Sequence, residues 1–184
     1  AAAANNIIMT IASIVFMVPL SVASAVAVKI GHAYGKQDEN QIRLFSKAAV
    51  LAISCFIVVS CSSLLIFPQY IMNFITQDSD VINLGIKLLF IVAIFQISDS
   101  LQVVLTGILR GLHQTKTSSI MVFIGYWVLG IPIGYYLAYY DGKGAEGLWI
   151  GLALSLTFVA IFMAVMTSIN LKNLPKLLEK AQTS

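Results

Sequence analysis

Charge is scarce in this sequence. Asp and Glu number 8 and Lys and Arg 11 among 184 residues, a charged share of 10%, whereas soluble globular domains carry about 25%. So little charge excludes an ordinary water-soluble domain, and no nucleic-acid partner is expected. Cysteine is nearly absent too: Cys55 and Cys61 stand six apart in one apolar run, with no C-x-x-C and no histidine beside them. That excludes a thiolate metal centre or a redox pair and leaves packed, inert thiols. No basic region precedes the first apolar run, so no signal peptide is visible. The chain opens on Ala1 rather than Met, and the expectation is a processed chain or a piece of a longer one.

Apolar residues are what the sequence has in abundance: 59% of the chain, with a mean hydropathy of +0.90. They fall in five runs long enough to cross a bilayer, at about 7–28, 48–68, 88–109, 117–140 and 147–171. Leu and Ile dominate, with Gly, Pro and Ser interspersed, a mixture that suits membrane helices. The fold class expected is all-α integral membrane.

Basic residues alternate between the ends of these runs. Lys29, Lys36, Arg43 and Lys47, then Arg110 and Lys116, then Lys172, Lys176 and Lys180 fall on one side; only Lys87 and Lys143 fall on the other. The positive-inside rule assigns the first set to the cytoplasm. The C-terminus is then cytoplasmic and the first span starts outside. A start outside implies one further helix upstream, hence a six-helix unit lacking its first helix.

The third run, LLFIVAIFQISDSLQVVLTGIL, holds a single carboxylate, Asp99, at its centre. Placing an acid there costs roughly 3 kcal/mol on insertion scales. At about 100° per residue Gln96, Asp99, Gln102 and Thr106 share one face. Desolvation penalises a bare carboxylate, so acids at this depth hold cations or protons. Asp99 is therefore read as a cation or proton site, with Na⁺ the candidate metal and Gln96, Gln102 and Thr106 as possible oxygen ligands. A structural acid paired across helices is the alternative.

Two runs carry helix-disturbing residues. Pro19, in FMVPLSVASAV, removes a backbone hydrogen bond and kinks its helix, and the small residues after it, Ser21, Ala23, Ser24, Ala25 and Ala27, permit close helix contact. YWVLGIPIGYYLAYY places Pro132 between Gly130 and Gly134, a flexible or broken point. Tyr135, Tyr136, Tyr139 and Tyr140 read as an interfacial belt, as do Tyr126 and Trp127, although some of these rings could face a cavity and stack on organic cations. Gly107 and Gly111 are four apart, which suits a closely packed helix pair. Ile42, Leu44 and Phe45, set among charges, read as a partly interfacial amphipathic stretch. His32 and His113 read as loop surface residues.

Four stretches together, VPLSVASAVAVKIGHAYGK, FQISDSLQVVLTGILRGLHQTK, YWVLGIPIGYY and GAEGLWIGLALS, make the chain resemble the C-terminal half of a multidrug and toxic compound extrusion (MATE) transporter, in its NorM-like branch. The resemblance implies a twelve-helix fold in two six-helix lobes, of which the five spans are helices eight to twelve; residues 1–184 would be a partial C-terminal lobe, with the N-terminal lobe and helix seven absent. It implies a multi-pass protein of a bacterial-type inner membrane, and a partner in the missing lobe. It implies efflux of small cationic amphipathic compounds coupled to Na⁺ or H⁺, with no cofactor beyond the coupling ion, and an ion-site acid that maps onto Asp99 in SDSLQV.

Three rivals remain. A lipid-linked oligosaccharide flippase of the same superfamily would want basic residues in its cavity, and no span carries a Lys or Arg at mid-depth. An intramembrane aspartyl protease needs two carboxylates sharing a site, and only one lies at mid-membrane, so no enzyme is expected. A non-transporting scaffold has no need for the stripe around Asp99.

Overall fold

The computed structural model describes residues 2–140, 142 and 144–182. Lys143, counted above on the sparsely basic side, lies outside the described residues, as do the side chains of Glu146, Trp149 and Lys180. The elements are α1 (Ala2–Gly35), α2 (Glu39–Ile66), α3 (Pro68–Ile75), α4 (Ser79–Gly111), α5 (Thr115–Phe123), a π-helical segment (Ile124–Gly130), α6 (Ile131–Tyr139), α7 (Gly144–Lys172) and α8 (Leu174–Gln182). Among the described residues there is no strand. Five helical stretches are long and apolar enough to cross a membrane: Asn6–Gly35, Glu39–Ile66, Ser79–Gly111, Thr115–Tyr139 and Ile150–Lys172. The protein is an all-α integral membrane chain.

Caps fix where the long helices begin. The Asp38 carboxylate accepts from the Gln41 amide at 3.0 Å and starts α2; the Asp78 carboxylate accepts from the Asp80 and Val81 amides and starts α4. Pro68 does not end the second span. It opens the short helix α3, where its missing N–H is no loss. The α1–α2 and α4–α5 turns share one design: the Asp38 amide donates to the Ala33 carbonyl and the Gln114 amide to the Leu109 carbonyl, with Gln37 and His113 at positive φ between.

The first basic loop is mostly helix, because α1 runs on to Gly35 and α2 resumes at Glu39. The interfacial reading of this stretch is therefore revised. Ile42 is fully buried in the core and Phe45 packs against that core beneath the Lys29 amine, while Leu44 faces outward. His32 and His113 are exposed, though His32 lies in the last turn of α1 rather than in a loop, and the His113 ring packs against Tyr34, 5.2 Å between centroids. The cysteines divide: Cys61 is buried, its thiol donating to the Ala93 carbonyl at 3.4 Å, whereas Cys55 is exposed on the helix surface rather than packed.

Helix α4 is the hub, touching α1, α2, α3, α5 and α7. Close packing against α1 depends on missing side chains. A Cβ on Gly107 would lie 2.5 Å from the Ala23 carbonyl oxygen, and one on Gly111 2.8 Å from Cβ of Ile30. Of the small residues after Pro19, Ala23 and Ala27 meet the α4 glycines while Ser21, Ser24 and Ala25 are exposed, and α1 runs through Pro19 as a single helix. The apolar core forms two clusters. One, toward the basic-rich end, gathers Val26, Ile30, Ile108 and Leu112 with Leu174 and Leu178 of α8. The other gathers Ile8, Leu64, Met72, Leu88 and Val92. The polar residues at the centre of α4 fall between them.

Candidate functional site

Two hydrogen bonds position the middle of α4. Gln96 Nε2 donates to Ser60 Oγ of α2 at 2.8 Å. Ser98 Oγ and Thr157 Oγ1 of α7 share a hydrogen bond of 2.8 Å. The glycine contacts above hold α1 against the remaining face. Within that frame Asp99 is buried, 9% exposed, with no hydrogen bond or ion pair to any described residue. For a carboxylate between two apolar clusters this is costly unless a cation or proton joins it.

Space for one exists. A void of about 10 Å³, room for about one water-sized sphere, lies between α1 and α4 against Asp99, Gln96 and Ser100, and is walled by Phe16 and Phe95. Gln96 Oε1 is buried without a partner among the described residues. The residues at the void thus offer a carboxylate and an unused amide oxygen, a donor set that suits a hard monovalent cation or a proton rather than a transition metal. Among the described residues no group of three or more His, Cys, Asp or Glu side chains could hold a metal. Asp99 also borders a wider cavity of about 420 Å³, open on one side and lined mainly by apolar groups, among them Met9, Phe16, Met17 and Leu152.

The remaining stripe residues sit apart. Gln102 is buried with its Oε1 unpartnered among the described residues, but it lines neither of these cavities. The Thr106 hydroxyl donates to the Gln102 carbonyl at 2.8 Å and faces a third cavity of about 400 Å³, beside Arg110, Tyr126 and Trp127. Gln96 and Asp99 are therefore brought together, and Thr106 is not brought to them.

Tyr126, read as interfacial with a cavity-facing ring as the alternative, takes the alternative. It lines the third cavity and lies close enough to Asp99 for the two to interact electrostatically, whereas Tyr135, Tyr136, Tyr139 and Tyr140 are all exposed and stacked in pairs. Its placement follows from the π-helical segment preceding Pro132, where backbone bonds widen and the side-chain phase shifts. Gly134 gives no room for a side chain on the facing residue: a Cβ on Gly151 of α7 would collide with the Gly134 backbone. Ser60, the partner of Gln96, carried no signal, since serines are ordinary in membrane helices.

Comparison with known proteins agrees with this architecture. The MatE family model matches residues 1–136. The multidrug resistance protein NorM of Burkholderia vietnamiensis is 38% identical over 169 residues, covering 89% of this chain and 37% of that protein. A probable multidrug resistance protein NorM of Xylella fastidiosa is 37% identical over 88% of this chain and 34% of its own length. The chain thus spans a little over a third of the curated relatives it matches. Among solved structures, the eukaryotic MATE transporter AtDTX14 superposes with a TM-score of 0.88 at 18% identity, covering 98% of this chain and 40% of that one. A MOP superfamily transporter from Pyrococcus furiosus gives 0.82 at 17% identity, covering 94% and 39%. With more than half its length under that family model and its helices laid out as in those transporters, the chain belongs to the MatE family.

Proposed function

We propose that this chain is part of a cation-coupled multidrug efflux antiporter of an inner (plasma) membrane, with its C-terminus cytoplasmic, and that Asp99 takes up the coupling Na⁺ or H⁺. The observation that carries the reading is the buried, unpaired Asp99 carboxylate, which borders both the small polar void and the open apolar cavity. Gln96 supplies a second oxygen at the void. Met9, Phe16, Met17 and Leu152 offer a lipophilic cation an apolar wall beside a negative charge, so ion and drug compete for one carboxylate. Linkage makes the competition mutual: an ion that weakens drug binding is weakened equally by drug. The N-terminal lobe of such a transporter would close the open side, with the five spans serving as helices eight to twelve. The relatives' printed descriptions as multidrug resistance proteins support the substrate class. The flippase alternative is not favoured, because among the described residues no Lys or Arg lines the Asp99 cavities.

The test is efflux of a lipophilic cationic dye from cells producing the full-length protein that contains this chain, across Na⁺ concentration and pH. Asp99→Asn is expected to abolish the ion dependence at unchanged protein level. Full ion dependence in that variant would overturn the assignment.

A further inference from the structure

Across α4 from Asp99 lies the most roomy of the described cavities, about 510 Å³, within the range of about 300–1,000 Å³ typical of small-molecule sites. It is a cleft between α2, α4 and α7. Val50, Leu51, Leu101 and Leu105 make its apolar wall, while Lys47 and Ser168 stand at the end where α2 begins and α7 finishes. That end carries most of the basic residues of the chain. Two polar groups here have no partner among the described residues. The Thr167 side chain is 4% exposed, lines the cleft, and its hydroxyl makes no hydrogen bond to any described residue. By contrast the Ser46 and Ser54 hydroxyls on the opposite wall donate to the carbonyls one turn back, at 2.8 and 2.7 Å. Lys47 is exposed and in no ion pair among the described residues, where Arg43–Glu39 is the pair formed nearby.

A cleft that is apolar along most of its length, cationic at one end and holds a spare hydroxyl near that end matches one amphiphile end to end. We propose that it is a site for an anionic phospholipid of the leaflet on the basic-rich side. The Lys47 ammonium and Ser168 hydroxyl meet the headgroup phosphate. The Thr167 hydroxyl, which costs free energy while buried without an acceptor, donates to a phosphate or glycerol-ester oxygen. An acyl chain lies along Leu51, Leu101 and Leu105. The site is independent of Asp99 and of any transport activity.

The experiment is native mass spectrometry of the purified protein titrated with phosphatidylglycerol or phosphatidylcholine. Phosphatidylglycerol should be retained in preference, and Lys47→Gln should reduce its retention by about fivefold, the factor one basic side chain is worth near an anionic membrane surface. Thr167→Val, nearly isosteric, should reduce retention of both lipids. Lys116→Gln, a charge loss on the same end but outside the cleft, should change nothing. Equal retention of the two lipids, an unaffected Lys47→Gln, or an equal loss in Lys116→Gln would each overturn the proposal. Displacement by millimolar inorganic phosphate would overturn it as well, since the ligand would then be free anion rather than lipid.

Discussion

At the scale of single residues, what decides a glycine's worth in this protein is the distance to the nearest backbone across the interface. A side chain at Gly107 would meet the Ala23 carbonyl oxygen at 2.5 Å and its Cα at 2.9 Å. Backbone cannot swing aside as a flexible side chain can, so the helices must separate. Gly107→Val is expected to destabilise the fold by about 1–3 kcal/mol, the usual cost of overpacking. Gly31, on the same α1, has nothing within 4 Å of its would-be Cβ. There the substitution removes only the entropic penalty of glycine in a helix, and Gly31→Ala should stabilise by about 0.5–1 kcal/mol. Unfolding of both variants in detergent micelles checks the pair. A Gly107 variant as stable as wild type would mean that α1 and α4 do not approach as closely as described.

At the scale of elements, the segment before Pro132 is where helix geometry yields. Gly130 lies against Ser155 of α7, whose Oγ would be 2.8 Å from an added Cβ. Gly130→Ala alone should destabilise, and Ser155→Gly alone should cost about 0.5–1 kcal/mol as a helix glycine. In the double variant the clash is gone, so the two effects should fall short of additivity by about 0.5–3 kcal/mol, the range for residues in contact. Additive losses in a double-mutant unfolding cycle would show that the segment does not pack on α7 here. The same segment marks how far sequence reading reaches. Long apolar runs and one acid among them are visible without structure, because membrane insertion is decided by composition over about 20 residues. That Asp99 lies within a spanning helix, on one face with Gln96, was legible for that reason, whereas their burial was not. Which ring faces a cavity was not legible either, because Tyr126 lies inside a seven-residue π-helical segment that departs from α-helical phase, and no propensity scale announces that segment. Thr106 shares a helical face with Asp99 yet opens on another cavity, since a face is read along one helix whereas a cavity is closed by its neighbours.

At the scale of the whole molecule, the distribution of charge makes a statement about sidedness that the packing alone does not. The α1–α2 turn, the α4–α5 turn and the C-terminal helix α8 come together at one end, where Tyr34 donates to the Leu177 carbonyl at 3.2 Å and packs against His113. Nine of the eleven basic residues lie toward that end, which the positive-inside rule places in the cytoplasm. The α3–α4 connection lies at the other end and carries Gln77, exposed, just before the Asp78 cap. Exposed Cys55 must first be replaced by serine, while Cys61, buried and bonded to the Ala93 carbonyl, can remain. In that background Gln77→Cys should react with a membrane-impermeant maleimide added to intact bacteria, and Gln37→Cys, exposed in the α1–α2 turn, only after the membrane is permeabilised. The reverse labelling pattern would invert the orientation and, with it, the side from which an ion reaches Asp99.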